Sequence, residues 1–452
     1  MLIEFYGKNF GCFRDEFRLS MVAAKIDAGD DRGIVEVKVD GQEEPLRLLR
    51  AAAIYGANAS GKSTILAAVD SLRRLIAGYR RRELVTLADS LLENSYTPFA
   101  GSKDPVELGL VANLGGKIYD YRITFGPELV KGERLSLVET GPKEVLLFNR
   151  EKKGATGKWS DDPRFRLISE DQRPNVPLLN VASFVAPGLA GEIADGLSLF
   201  LGAAFYPAHF PPYISRHRSR PMRFSDPAKR VHDDPKFRTW LTDRLASADV
   251  GIAEVKSQKI EEELDFGPSI SDRTTSKNTL ARGGGTGKIV RYELKMGHRA
   301  GEGNFELPLY RESTGTVAFI RLAPFIYDLT HSEGFCAAFV DEIHESLHPT
   351  LLQALIRDFN CNTSMNYVRG QLIFTTHETM LLDAEAKNNI LRRDQIYFTK
   401  KLEDGSSQLY SLVEFKERNN LNLRKRYLEG RYGALPAVDG GEEMAVPEAG
   451  GK

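Results

Sequence analysis

The octapeptide Gly56-Ala57-Asn58-Ala59-Ser60-Gly61-Lys62-Ser63 constrains this chain more than any other stretch. It fits G-x-x-x-x-G-K-[ST], and gripping a polyphosphate needs that spacing. Gly56 and Gly61 let backbone N–H groups turn inward around phosphate oxygens. A helix that starts where the loop ends offers its positive dipole end to the anion. Lys62 is placed to reach the β- and γ-phosphates, and the hydroxyl of Ser63 to ligate Mg²⁺. Asn58, Ser60 and Thr64 complete the candidate nucleotide-binding set, with ATP as the expected ligand. The flanks agree. Leu48–Tyr55 is a short apolar run of buried-strand type, and Thr64–Ala77 carries apolar residues at helical spacing. A second glycine-rich stretch, 283–288, fails the pattern: Arg282 stands where the first glycine belongs and Ile289 follows the lysine. It reads as a loop.

Around this motif the chain reads as a globular α/β protein. Its 452 residues hold 42% hydrophobic and 27% charged residues, enough apolar surface for a sizeable core. With 61 Lys+Arg against 62 Asp+Glu, global charge gives no argument for a nucleic-acid partner and leaves only a local patch to supply one. The three cysteines, Cys12, Cys336 and Cys361, lie far apart without a CxxC, which suits a reducing cytoplasm and argues against a disulfide framework or a Cys-rich zinc site. No apolar run approaches the ~18–20 residues of a membrane-spanning helix, and MLIEFYGKNF lacks the pattern of a secretion leader. Residues 1–50 and 98–150 read as strands, with a hairpin turn at Asn113–Lys117. Residues 180–205 and Lys236–Ala248 read as helical, the proline-rich 207–235 as loop, and 266–288 as a flexible loop. Heptads are absent, so no long coiled coil is expected. The expected division is 1–140 with the phosphate loop and a β-lobe, 141–288 as an inserted helical and irregular region, 289–438 as the remainder of the core, and 439–452 as a disordered tail.

Two further strand ends carry chemistry. Phe335–Val340 is an apolar strand followed by Asp341 and Glu342; a parallel strand delivers such residues to the ligand edge of its sheet. Asp341 is then the candidate Mg²⁺ ligand and Glu342 the base that polarises the attacking water. Gln371–Thr375 is another strand, and His377 just beyond it is placed to hydrogen-bond the γ-phosphate and the water. Upstream, Arg311-Glu312-Ser313-Thr314-Gly315-Thr316 precedes a helix-like run. Ser313 and Gly315 either donate to phosphate or form an ordinary helix N-cap; without context the cap reading is the stronger.

Taken together, these elements resemble the ABC-type ATPase head, in the branch with SMC, DNA-repair and OLD-type proteins. The order matches: phosphate loop at 56–63, signature at 312–316, acids at 341–342, a D-loop-like Ser346-Leu347-His348 and a switch histidine at 377. The signature departs from Leu-Ser-Gly-Gly-Gln, keeping Ser313 and Gly315 but with Glu312 before and Thr316 after. The resemblance implies an α/β P-loop ATPase head with a mixed β-lobe and an inserted helical or irregular segment. It implies ATP and Mg²⁺ as cofactors, Lys62, Glu342 and His377 as catalytic groups, and a homodimer that sandwiches ATP between the loop of one head and the signature of the other. KNFGCF (8–13), YGANASGKST (55–64), ESTGT (312–316), DEIHESLHP (341–349), TTHETMLLD (375–383), LRRDQIYF (391–398) and YLEGRYGALP (427–436) look like the prokaryotic "AAA family 15" ATPases of AbiL-type and RloA-type phage-defence pairs, with the PARIS ATPase more distant.

In those systems the ATPase works beside a small TOPRIM-type nuclease, so the resemblance implies a partner effector and a nucleic-acid or phage-protein trigger. No Asp-x-Asp strand end follows His377, so an intrinsic nuclease is not expected. Two other functions fit the same motifs: a DNA-repair or chromosome-associated SMC-like ATPase, and a non-hydrolysing scaffold stabilised by ATP. The cationic clusters are Arg216–Arg230, Arg80–Arg82 and Arg424–Arg426, the first either a contact for nucleic acid or an acidic trigger protein or a solvated loop, and the others helix surface.

Overall fold

A computed structural model describes residues 1–26, 30–77, 88–139, 144–151, 154–170, 175–200, 203–205, 226–247, 251–265, 286–300, 303–331, 336–361, 370–382, 390–415 and 422–435. The chain divides into two compact units, Met1–Met222 with Asp328–Lys452, and Arg223–Tyr327. These boundaries are not the expected ones. A cut at 140 separates strands Val130–Val138 and Glu144–Arg150, which are hydrogen-bonded neighbours, and a cut at 288 falls inside the strand Thr286–Ala300. The expected tail at 439–452 and the cations Arg80–Arg82 and Arg216–Arg223 lie outside the described residues.

The larger unit carries two six-stranded sheets. One orders Ala203–Phe205, Cys336–Val340, Gly370–Thr375, Ala51–Gly56, Ile396–Lys401 and Ser407–Ser411 side by side. Its first five strands are parallel and the last is antiparallel. The central strand Ala51–Gly56 is buried throughout, as a strand covered on both faces must be. The other sheet is antiparallel, ordered Phe17–Ser20, Leu2–Lys8, Val106–Leu114, Lys117–Phe125, Val130–Val138 and Glu144–Arg150. One core unites Phe5, Leu110 and Phe148 of this sheet with Ile54 and Phe339 of the parallel one and with Ile65, Val69 and Leu72 of the helix Lys62–Ala77. That helix is thus fixed along its apolar stripe, which fixes the loop at its N-terminus.

Its other end is tied as well. Asn180 Nδ2 donates to the carbonyls of Leu75 (3.0 Å) and Ile76 (2.8 Å), satisfying last-turn acceptors that have no helical partner. Asn180 lies on the helix Leu178–Val185, whose first N–H groups, of Leu178 and Leu179, donate to the fully buried carboxylate of Glu133. Glu133 also accepts from the Tyr121 hydroxyl at 2.9 Å. Burial raises its pKa above the ordinary value, while these donors and Arg150 pull it back.

Two local differences from the sequence reading have simple causes. Leu48–Tyr55 is not one strand: Leu46–Leu49 pairs with Ile34–Val37, and Ala51–Gly56 enters the parallel sheet. Apolar periodicity alone does not reveal a change of sheet. Within the expected loop 207–235, Pro227–Asp233 is a helix. Pro227 stands at a first-turn position, where its fixed φ favours the helix, and the Asp226 side chain accepts from Ala228 N at 3.0 Å.

The smaller unit holds that helix, the helix Pro235–Ser247 and a three-stranded antiparallel sheet of Ile252–Asp265, Thr286–Ala300 and Gly303–Pro308. The sequence reading put a β-lobe within 1–140 and a helical and irregular region at 141–288, whereas this sheet runs from 252 to 308, and its first strand lay unread in the sequence. Part of the expected flexible loop, 286–288, is strand; 266–285 lies outside the described residues. Among the described residues the longest helix is Thr314–His331, with 18 residues, and none is long and apolar enough to cross a membrane.

Candidate functional site

The loop after Ala51–Gly56 is shaped by contacts that leave no room for side chains. A Cβ on Gly61, whose φ is +109°, would lie 2.7 Å from Cys12 Sγ, and one on Gly56 would lie 2.2 Å from Thr399 Oγ1. Ala59 also takes the left-handed conformation, with φ +61°. Asn58 and Ser63 are exposed at the mouth, and the N–H groups of the first helical turn have no helical acceptor. Ser60 departs from its expected role: its hydroxyl is buried and paired with Thr399 Oγ1 at 2.6 Å, and its N–H donates to Ala57 O. It anchors the loop from below.

Lys62 folds back over the loop, donating to the carbonyls of Gly56 (2.9 Å) and Ala57 (3.0 Å). Burial pulls its pKa down to about 8, against the raising fields of Glu342 and Asp341. A polyphosphate in the loop would add an anion beside this partly desolvated ammonium.

The parallel sheet brings the other groups to the same edge. Val340 pairs with Phe374, and Thr375 with Ile54, so Asp341, His377 and the phosphate loop follow the carboxyl ends of three adjacent strands. Glu342 has φ +46°, a costly conformation for a non-glycine residue. His377 Nε2 is buried without a hydrogen-bond partner. Burial, helped by the nearby Lys62 and His344 and opposed by Asp341, lowers the His377 pKa to about 4, so its ring is neutral at pH 7. An unpaired ring nitrogen, a loop of inward N–H groups, the hydroxyl of Ser63 and the carboxylate of Asp341 together fit a triphosphate with Mg²⁺, which takes hard oxygen ligands.

Ser313 and Gly315 lie in the smaller unit. Ser313 is the N-cap of the helix Thr314–His331: its Oγ accepts from Thr316 N at 3.1 Å and pairs with Thr316 Oγ1 at 2.9 Å. The capping alternative is therefore real, and it also leaves an exposed hydroxyl at a helix N-terminus. Glu312 is held by His298 of the sheet, with Nε2 and Oε1 2.7 Å apart.

Sequence reasoning missed Thr375 as a functional residue. Its buried hydroxyl donates to Asp341 Oδ1 at 2.6 Å and accepts the N–H of Glu342 at 2.7 Å. One side chain thus holds both acids and the strained turn between them. Replacing it with Val leaves the Glu342 N–H unsatisfied and frees the Asp341 carboxylate. We expect Thr375→Val to cost about 1–3 kcal/mol in a thermal or denaturant melt. Any turnover at this site should fall by roughly ten- to a hundredfold through misplacement of the acids. An unchanged rate would remove Thr375 from the site.

The terminal motifs also converge here. A Cβ on Gly11 would meet Thr64 Cγ2 at 2.4 Å, and Cys12 Sγ lies 3.5 Å from Thr64 Oγ1, so the KNFGCF turn braces the phosphate helix. Tyr427 packs edge-on against Tyr55 at 5.7 Å, and Arg424 Nε donates to Thr379 Oγ1 at 3.3 Å. Of the cationic stretch at 216–230, the two described members are internally engaged. Lys229 faces Asp233 at 3.4 Å, and Arg230 lies over the rings of Phe237 and Tyr327.

Three comparisons bear on this geometry. The family profile described as "AAA domain, putative AbiEii toxin, Type IV TA system" matches residues 51–383. Among solved structures, the chain is similar to the "SMC head domain from Thermotoga maritima", with 14% identity, 91% of this chain and 98% of that chain covered, and a TM-score of 0.37. No curated protein matches significantly.

Proposed function

This chain belongs to the AAA-domain family matched over residues 51–383, and on that premise we propose that it binds Mg-ATP and hydrolyses it between two copies of itself. One observation carries the reading: the phosphate loop, the acid pair and His377 follow the carboxyl ends of three neighbouring parallel strands. Lys62 and the loop N–H groups bind the phosphates, with Gly56, Asn58, Gly61 and Thr64 shaping the loop. Ser63 and Asp341 hold Mg²⁺, which neutralises developing charge on the phosphates. Glu342 orients the attacking water and accepts its proton. The neutral ring of His377 offers its free nitrogen to the γ-phosphate or the water. Ser313 and Gly315 of a second copy close the pocket.

The resemblance to AbiL-type and RloA-type ATPases supports a finer reading. ATP-driven closure is a two-state switch in phage defence; it acts in the cytoplasm, answers a phage protein or nucleic acid, and controls a TOPRIM-type nuclease. The direct test of the nucleotide reading is Lys62→Ala. It removes the only cation among the loop residues 56–63 and should weaken ATP binding by more than about a hundredfold, since hydrogen bonds to charged groups contribute roughly 1.5–3 kcal/mol each. Equilibrium binding of a fluorescent ATP analogue measures this. Unchanged affinity would place the nucleotide elsewhere.

A further inference from the structure

The acid turn carries His344, to which the sequence reading gave no role. We propose that His344 is a positioning residue of this site, setting the ring of His377 and joining the acid turn to the switch strand. The rings of His344 and His377 meet edge to face, 5.7 Å apart at 83°. His344 Nδ1 pairs with Thr376 Oγ1 at 3.2 Å, and Thr376 Oγ1 accepts the N–H of Glu378 at 3.0 Å. One residue earlier, Ile343 N donates to Thr375 O at 3.1 Å. The segment from Glu342 to His344 is thus fastened to Thr375 and Thr376, just before His377, and Thr376 in turn holds the N–H of Glu378 just after it.

The fastening has a purpose that packing alone does not need. His377 Nε2 is buried and unpaired, so nothing but its neighbours holds the ring in one rotamer. Glu342 sits at φ +46°, a backbone state that persists only where surroundings over-determine it. The ring of His344 restricts the first, and its bond to Thr376 helps to fix the second. Movement of His377 on nucleotide binding therefore passes to Glu342 through His344, and the switch and the base act as one unit.

This inference rests on the hydrolytic reading, so the experiment runs Glu342→Gln alongside. ATP turnover of the full chain is measured with His344→Ala, His344→Asn and His344→Gln, each with its melting temperature. Asn places a polar atom where Nδ1 lies, and Gln places one where Nε2 lies. We expect His344→Ala to lower kcat by roughly ten- to a hundredfold with little change in KM. His344→Asn should recover most of that loss and His344→Gln little of it. A kcat for His344→Ala equal to the wild type overturns the proposal. So does a loss that Asn fails to rescue, or one that merely follows the melting temperatures, because a packing role predicts both. If Glu342→Gln turns over at the wild-type rate, the hydrolytic reading fails first and this inference with it.

Discussion

Glu342→Gln yields a protein that holds ATP and does not cleave it. The substitution keeps side-chain size and leaves the backbone N–H bonded to Thr375, so the turn at φ +46° survives. It removes only the carboxylate, the group proposed to accept a proton from water. A positioned general base contributes roughly 10²–10⁴-fold, and phosphate release should fall by that amount at saturating ATP. Bound nucleotide should remain at wild-type levels in a filter-binding assay, and two-copy assemblies should accumulate because the step that opens them is blocked. No phosphate release from the wild type would favour the rival in which ATP is structural glue. Equal release from both proteins would assign the base to another residue.

Ser313→Arg separates binding from turnover. Ser313 caps a helix in the smaller unit, whereas the phosphate loop belongs to the larger one. The isolated chain should bind ATP as before. Loss of the cap costs about 0.5–2 kcal/mol and a cation at a helix N-terminus about 0.3–1 kcal/mol more, which a chain of this size survives. In the shared-site arrangement a long cation enters where a hydroxyl and N–H groups should meet the γ-phosphate. Losing one such donor costs about 10²–10³ in rate, and blocked closure adds to it. Turnover should therefore be lost while binding persists. Wild-type turnover per chain should also fall on dilution below the dissociation constant of the two-copy assembly. Normal hydrolysis by Ser313→Arg, or turnover indifferent to dilution, would mean that one chain completes the pocket alone.

How much of this was legible beforehand follows from the range of each interaction. The strand before the loop, the helix after it, and the strands leading to Asp341 and His377 were readable because each is a local run with its own periodicity. The hairpin Val106–Leu114 with Lys117–Phe125 was readable for the same reason. The boundary inside Leu48–Tyr55 was not, since two buried strands in succession look like one. Ser60 was assigned to phosphate by its place in the motif, and only the position of Thr399 showed that its hydroxyl is engaged elsewhere.

The sequence by itself determined the phosphate loop and the two acidic and basic strand ends. Those depend on glycine, lysine and carboxylate at fixed short spacings, and backbone geometry turns such spacings directly into chemistry. The tertiary structure decided which groups hold them in place. Thr375 on the acids, His344 against His377, Cys12 beneath Gly61 and Thr399 on Ser60 are contacts between residues 33 to 339 positions apart. Such pairings form because a parallel sheet aligns distant strand ends at one edge, and no local pattern in the chain records which distant partner arrives.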